Sequence, residues 1–204
     1  MMNIAILISG RGSNMKSILQ AIQGGEIEGV KDVIVVSNRS TAPGLEIARK
    51  EFGVKTLIVL PEENGQMYDK KLMTELQRNE IFEHNSLICL AGFMRILKPE
   101  FIKAYKNKIV NIHPSLLPSF KGLHAQKQAL LAGVKITGCT VHLVDVGIDT
   151  GPILLQECVP VHDNDTIESL SARILIEEHK IYVKALKLLS ANKFLLKGNR
   201  MVQI

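Results

Sequence analysis

Asn111 and His113 stand two residues apart in the stretch NIHPSLLP (111–118), at the end of an apolar run. An amide N–H donates well to a developing oxyanion, and an imidazole can do the same or move a proton near neutral pH. In a strand, alternate side chains share a face, so Asn111 and His113 point one way and Val110 and Ile112 the other. Pro114 and Pro118 cannot continue a ladder and turn the chain away. Such a His needs an orienting carboxylate. The turn-rich loop VDVGIDTGP (144–152) offers Asp145 and Asp149, and a carboxylate beside an imidazole favours its charged form and fixes its orientation. A plainer reading also fits, in which the two aspartates only make turns and His113 is a satisfied core histidine.

Other reactive side chains are less well placed. Ser115 and Ser119 lack the G-x-S-x-G surroundings of a hydrolase nucleophile. Cys139 falls in mid-strand, and His142, two or three residues from any strand tip, is expected to pack. His84, His124, His162 and His179 have no metal-ligand spacing, so no metal is expected.

A second candidate is SGRGSN (9–14), where a strand gives way to a helix. Gly10 and Gly12 allow a tight turn, and the amides of Gly12, Ser13 and Asn14 lie at a helix N-terminus, which favours an anion. It is not a dinucleotide fingerprint: Met15 replaces the third glycine, and Ser37 and Asn38 stand where an acidic residue would end strand two. No G-K-[ST] follows, so it is not a Walker loop. A single phosphate monoester is the ligand that fits; an ordinary Gly-rich β–α turn fits equally.

The elements that position these residues alternate. Apolar runs at 3–8, 32–37, 54–60, 86–91 and 108–113 read as strands, the first short and continuous as in a parallel strand buried on both faces. Helical patterns fall at 13–22, capped by Ser13 or Asn14, and at 43–52, with Pro43 in its first turn. Further helices are read at 68–82, 99–105, near 124–132, and at 165–190, where Asp165 and Glu168 resemble a capping box. The segments 136–145 and 152–161 are longer and more alternating, as expected of an antiparallel edge. The expected fold is α/β: a doubly wound, mostly parallel, Rossmann-like sheet with helices on both faces and an antiparallel edge near the C-terminal strands. Ligands in such sheets bind at the carboxyl ends of the strands.

The bulk numbers agree with one domain. The chain has 204 residues, 46% hydrophobic and 22% charged, enough for a sizeable core and too apolar for disorder. Its net charge of +5 is spread along the chain with no run of five like charges, which argues against a nucleic-acid tail. Cys89, Cys139 and Cys158 lie far apart in apolar segments and read as reduced core cysteines. No apolar run reaches the ~20 residues of a membrane span. The N-terminus reads as a strand without a cationic signal region, so a cytoplasmic protein is expected.

The segments LISGRGSNM, LAGFMRIL, NIHPSLLPSFKGLHA, TGCTVHLV and DTGPILLQ, in this order and spacing, resemble the phosphoribosylglycinamide formyltransferases, a branch of the 10-formyltetrahydrofolate-dependent formyltransferases. The resemblance runs from about residue 3 to about residue 190. It implies a single formyltransferase domain over 1–190, with 191–204 as a short extension. It also implies roles. Asn111 and His113 match the catalytic pair, and Asp149 the carboxylate that orients the His and keeps it charged. Gly12, Ser13 and Asn14 match the phosphate loop for glycinamide ribonucleotide, and Glu178 an acidic residue reaching the same substrate. Met94, Arg95, Ile96 and Leu97 match a segment that binds the pterin largely through backbone groups, with the loop containing Asp145 and Val146 as the other folate-binding part. Two positions depart from the pattern: Gly65 falls where relatives often carry an Arg, and Gln126 replaces a second His in GLHAQ.

The implied reaction moves a formyl group from 10-formyltetrahydrofolate, as co-substrate, to the amine of 5-phosphoribosylglycinamide. It passes through a tetrahedral oxyanion held by Asn111 and His113 and needs no metal. The implied partners are small molecules, with no nucleic acid or membrane, for a monomer or weak homodimer. Three other functions share parts of this pattern. A formyltetrahydrofolate hydrolase usually carries an N-terminal regulatory domain, whereas the first strand here begins at residue 3. A methionyl-tRNA formyltransferase needs a basic C-terminal domain, and only about a dozen residues follow the last helix. A non-catalytic phosphoribosyl-binding module leaves Asn111, His113 and Asp149 unexplained.

Overall fold

A computed structural model describes residues 1–62, 67–198 and 200–204. Its strands form a seven-stranded, mostly parallel sheet in the order β3-β2-β1-β4-β5-β6-β7 and a separate two-stranded sheet, β8-β9. The chain divides into two compact units, Met1–Val110 and Asn111–Ile204.

In the first unit, β1 (Met2–Ile8) is the central strand, and Ile4 to Ile8 are wholly buried. Burial on both faces is what its unbroken apolar run requires. It pairs in parallel with β2 (Val30–Ser37) on one side and β4 (Ser86–Leu90) on the other, and β3 (Lys55–Ile58) lies outside β2. The chain therefore runs outward through β2 and β3, then returns to the far side of β1. That reversal places a topological switch point at the carboxyl ends of β1 and β4, where open α/β sheets bind ligands. The connections are α1 (Ser13–Gln23), α2 (Pro43–Phe52), α3 (Tyr68–Arg78) and, after β4, the short α4 (Pro99–Ala104).

Two helix ends differ from expectation. The N-cap of α1 is Gly12, in the left-handed region at φ 72°, so Ser13 is already helical. Helix α3 stops at Arg78 rather than at 82, because Glu80 turns left-handed (φ 60°) and Ile81 N–H returns to the Leu76 carbonyl at 3.0 Å. This is the Schellman closure with Glu where Gly is usual.

In the second unit, β5 (Ile109–His113) contributes Asn111–His113. It is followed by α5 (Ala125–Ala132), β6 (Ile136–Leu143), β7 (Ile153–Pro160), α6 (Ile167–Ser190) and the hairpin β8 (Phe194–Lys197) and β9 (Arg200–Gln203). Strands β6 and β7 pair antiparallel, which gives the sheet its expected edge, and α6 packs on both. The cap of α6 is Thr166, one residue beyond the expected Asp165: its hydroxyl accepts from Ser169 N–H at 3.2 Å while Ser169 Oγ accepts from Thr166 N–H at 2.9 Å. Asp165 instead holds Arg173 through two bonds of 2.7 and 2.8 Å. Cys89 and Cys139 are buried as expected, but Cys158 is exposed, because β7 is the outermost strand and its outer face lies open.

Candidate active site

Asn111 and His113, at the end of β5, lie with Asp149 and His142 in one cluster of the second unit. His113 is buried, and both its ring nitrogens face acceptors: Nε2 lies 2.9 Å from the Phe120 carbonyl and Nδ1 lies 3.3 Å from Asp149 Oδ2. The doubly protonated ring satisfies both. A neutral ring donating to Phe120 would instead turn a lone pair toward a carboxylate. Asp149 Oδ2 also accepts the Gly122 N–H at 2.8 Å. Burial pushes the Asp149 carboxyl up, but His142, the Gly122 N–H and the His113 charge outweigh it and hold the value down at about 2. The carboxylate is thus a fixed anion at neutral pH.

Asn111 is oriented by a residue that the sequence assigned to packing. His142 Nε2 lies 3.1 Å from Asn111 Nδ2 and 3.6 Å from Asp149 Oδ1, while its Nδ1 is 2.9 Å from the Leu143 carbonyl and so carries a proton. With Nε2 unprotonated, it accepts one of the two Asn111 N–H groups. With Nε2 protonated, the Asn111 amide turns its oxygen to it. In both states Asn111 keeps an N–H that His142 does not use. No local sequence pattern marked this role, which the fold creates: His142 is one residue from the end of β6, and the β6–β7 register shifts between Val141 and His142. Such irregularities often re-aim a side chain beside a site.

The loop after β5, whose Phe120 carbonyl faces His113 Nε2, is strapped by Thr140. Thr140 Oγ1 donates to the Ser115 carbonyl at 2.6 Å and accepts from Leu117 N–H at 3.0 Å and Gln156 Nε2 at 3.0 Å, which uses its full hydroxyl capacity. Ser115 Oγ, considered as a nucleophile, is buried and donates to the Ser119 carbonyl at 2.5 Å. Burial, with Glu178, Glu177 and Glu157 around it, pushes the Cys139 thiol up to about 12, which leaves it unreactive.

The Asp149 loop is equally tight. Asp145 Oδ1 accepts from Gly147 N–H at 3.1 Å and Thr150 Oγ1 at 2.6 Å, so that oxygen of Asp145 serves the turn. Leu143 N–H bonds the Pro152 carbonyl at 2.9 Å, and a Cβ on Gly151 would overlap the Leu143 carbonyl oxygen. The glycine of D-x-G-P is therefore required for close approach. Gly151→Ala is expected to lower the melting temperature by roughly 5–10 °C, from about 2–3 kcal/mol of overpacking, and to cut turnover by displacing Asp149. A thermal shift measured beside the initial rate checks this; an unchanged melting temperature and rate would refute it.

Val146 is exposed on the Asp145 loop, and Glu178 is buried on α6. In the first unit, Gly12, Ser13 and Asn14 open α1, whose first turn has no acidic residue to repel an anion. Gly44 N–H donates to the Gly10 carbonyl at 3.1 Å and braces this turn, and a Cβ on Gly44 would meet Ile8, Gly10 and Arg11. Met94 and Ile96 project into solvent and Leu97 is buried. Arg95 lies 4.4 Å over the Tyr68 ring, with its Nε buried and without a hydrogen-bond partner. Lys98 N–H donates to Asp69 Oδ2 at 2.5 Å. Gly65 lies outside the described residues. Among the described residues, no group of three or more His, Cys, Asp or Glu could hold a metal ion, and no helix is long and apolar enough to cross a membrane.

This chain belongs to the formyl transferase family, whose model matches residues 2–186. It is 41% identical over 182 residues to the phosphoribosylglycinamide formyltransferase of Escherichia coli (strain K12), covering 89% of this chain and 84% of that protein. It is 43% identical over 190 residues to the trifunctional purine biosynthetic protein adenosine-3 of Chironomus tentans, covering 92% of this chain but only 14% of that much longer protein. The crystal structure of glycinamide ribonucleotide transformylase 1 from Symbiobacterium toebii superposes with a TM-score of 0.92 at 43% identity, covering all of this chain and 94% of that one.

Proposed function

We propose that this protein transfers the formyl group of 10-formyltetrahydrofolate to the amine of 5-phosphoribosylglycinamide, giving formylglycinamide ribonucleotide and tetrahydrofolate in purine biosynthesis. The observation that carries this reading is the buried His113, held between the Phe120 carbonyl and the Asp149 carboxylate, with Asn111 oriented by His142 in the same cluster. Asn111 presents an N–H to the oxyanion formed when the amine attacks the formyl carbon. Collapse of that intermediate breaks the formyl C–N10 bond, and the proton lost by the amine nitrogen balances the one that N10 takes up as tetrahydrofolate leaves. The His113 charge stabilises the same oxygen, and Asp149 keeps that charge in place. The His113 Nε2–H is engaged by Phe120, so its direct donation to the oxyanion requires that bond to exchange for the ligand.

Gly12, Ser13 and Asn14 take the phosphate at the amide end of α1, and Glu178 takes the rest of the ribonucleotide. Met94, Arg95, Ile96 and Leu97 take the pterin, with Asp145 and Val146 contributing from their loop. The exposed apolar side chains of Met94 and Ile96 and the unpartnered Arg95 Nε support a ligand there. Residues 1–190 act as one formyltransferase domain with 191–204 as an extension. The reading includes a cytoplasmic monomer or weak homodimer that acts on small molecules and binds neither nucleic acid nor membrane.

The test is release of the deformylated folate, followed by absorbance, from a 10-formyl folate with and without 5-phosphoribosylglycinamide. Release that depends on the ribonucleotide is expected. Release without it would make the protein a hydrolase, and no release from folded protein would leave only a binding module.

A further inference from the structure

The switch point between β1 and β4 contains a hydroxyl that the reaction above does not use. Ser9, 3% exposed, is the first residue after β1. Its backbone N–H donates to the Gly92 carbonyl at 3.1 Å. Its Oγ accepts the Met94 N–H at 2.8 Å and donates to Asn38 Oδ1 at 2.6 Å. Asn38, just past β2, is itself buried. One residue thus grips the turn after β4 at two points, Gly92 and Met94, and is aimed by a third strand end. The far end of the same segment is held separately, by Tyr68 under Arg95 and by Asp69 on the Lys98 N–H.

We propose that Ser9 is a positioning residue for the folate substrate: through Asn38, its hydroxyl sets the peptide at Met94 and so the direction of the backbone groups of residues 94–97 that face the pterin. This rests on the reading of 94–97 as the pterin segment. Three arguments support it. A ligand bound through backbone groups depends on the orientation of peptide planes, which a hydrogen bond to one N–H fixes directly. The hydroxyl acts in a chain, amide to hydroxyl to side-chain carbonyl, in which each bond polarises the next. Ser9→Ala also removes only that chain. The Ser9 N–H bond to Gly92 and the pairing of β1 with β2 and β4 are backbone interactions and persist. The phosphate turn that follows is braced by Gly44 on Gly10, so it is insulated from the loss.

The experiment compares wild type, Ser9→Ala, Asn38→Ala and Asn38→Asp. KM is measured for the formyl folate and for the ribonucleotide, with folic acid titrated calorimetrically. Ser9→Ala is expected to weaken folate by about threefold to tenfold, the worth of one net hydrogen bond, and to leave the ribonucleotide KM within about twofold. Asn38→Ala, which frees the hydroxyl to rotate, follows in the same direction and carries the test if Ser9→Ala does not fold. Asn38→Asp keeps an acceptor for the hydroxyl and restores folate affinity relative to Asn38→Ala. Unchanged folate binding in the variants, or equal weakening of both substrates as a merely structural residue would give, overturns the proposal. Failure of the pterin reading would show in the wild type itself, as no binding of folic acid.

Discussion

Asn111→Ala should lower turnover by about 10²–10³-fold, the usual cost of removing one oxyanion donor, while KM for both substrates stays within a few-fold and the melting temperature moves by only a few degrees. The separation of rate from stability follows from the surroundings of the side chain. Asn111 is only half-buried, and its hydrogen bond within the cluster is to His142. Truncation leaves the His142 Nδ1 bond to Leu143 and the Asp149 bond to Gly122 as they are. His113→Ala should cost at least as much rate, but it is a less clean test. That ring is buried against both Phe120 and Asp149, and its removal leaves a cavity beside an anion. Steady-state rates with thermal melts of the same preparations decide the matter. An Asn111→Ala enzyme with near-wild-type turnover would take Asn111 out of the reaction.

Much of the fold could be read from spacing because its strands are simple. β1 is an unbroken apolar run, and a parallel strand buried on both faces admits little else. Helix α2 begins at Pro43, as a proline in the first turn predicts. What could not be read are relations set by tertiary closure. His142 sits where the β6–β7 register shifts, and no local pattern marks such a shift. The choice between Asp145 and Asp149 as partner of His113 is made by the loop. Asp149 adopts φ 51°, whereas Asp145 Oδ1 is engaged by Gly147 and Thr150. Gly151 is needed because the Leu143 carbonyl passes close by, a contact between segments that the sequence lists eight residues apart. The cap of α6 moved from Asp165 to Thr166 because Arg173, two turns on, claims the carboxylate. The role of Ser9 depends on Asn38 and Met94, which lie 29 and 85 positions away.

The second large effect is expected at Asp149, and it separates catalysis from stability by pH. Asp149→Asn keeps the size of the side chain and can still accept the Gly122 N–H, so the loop should hold. It removes the counter-charge 3.3 Å from His113 Nδ1, and turnover at pH 7 should fall at least ~10²-fold. Stability carries the sign. The folded carboxyl titrates at about 2, below its ordinary 3.8, so between these values the unfolded chain binds more protons and stability rises with pH. The contribution is complete above pH 3.8 and is lost as pH falls through about 2. The shift corresponds to something on the order of 2 kcal/mol. The Asn variant has nothing to titrate there. The wild type should therefore be the more stable protein at pH 5, and its margin over the variant should shrink as pH falls toward 2, because every other acid group is common to both. Melting curves of the pair across pH 2–6 read this margin directly. A margin that does not change with pH would mean that the Asp149 carboxylate is not held by His142, Gly122 and His113 as the geometry has it. A margin that shrinks while turnover is unaffected would keep the cluster as structure and remove Asp149 from the chemistry.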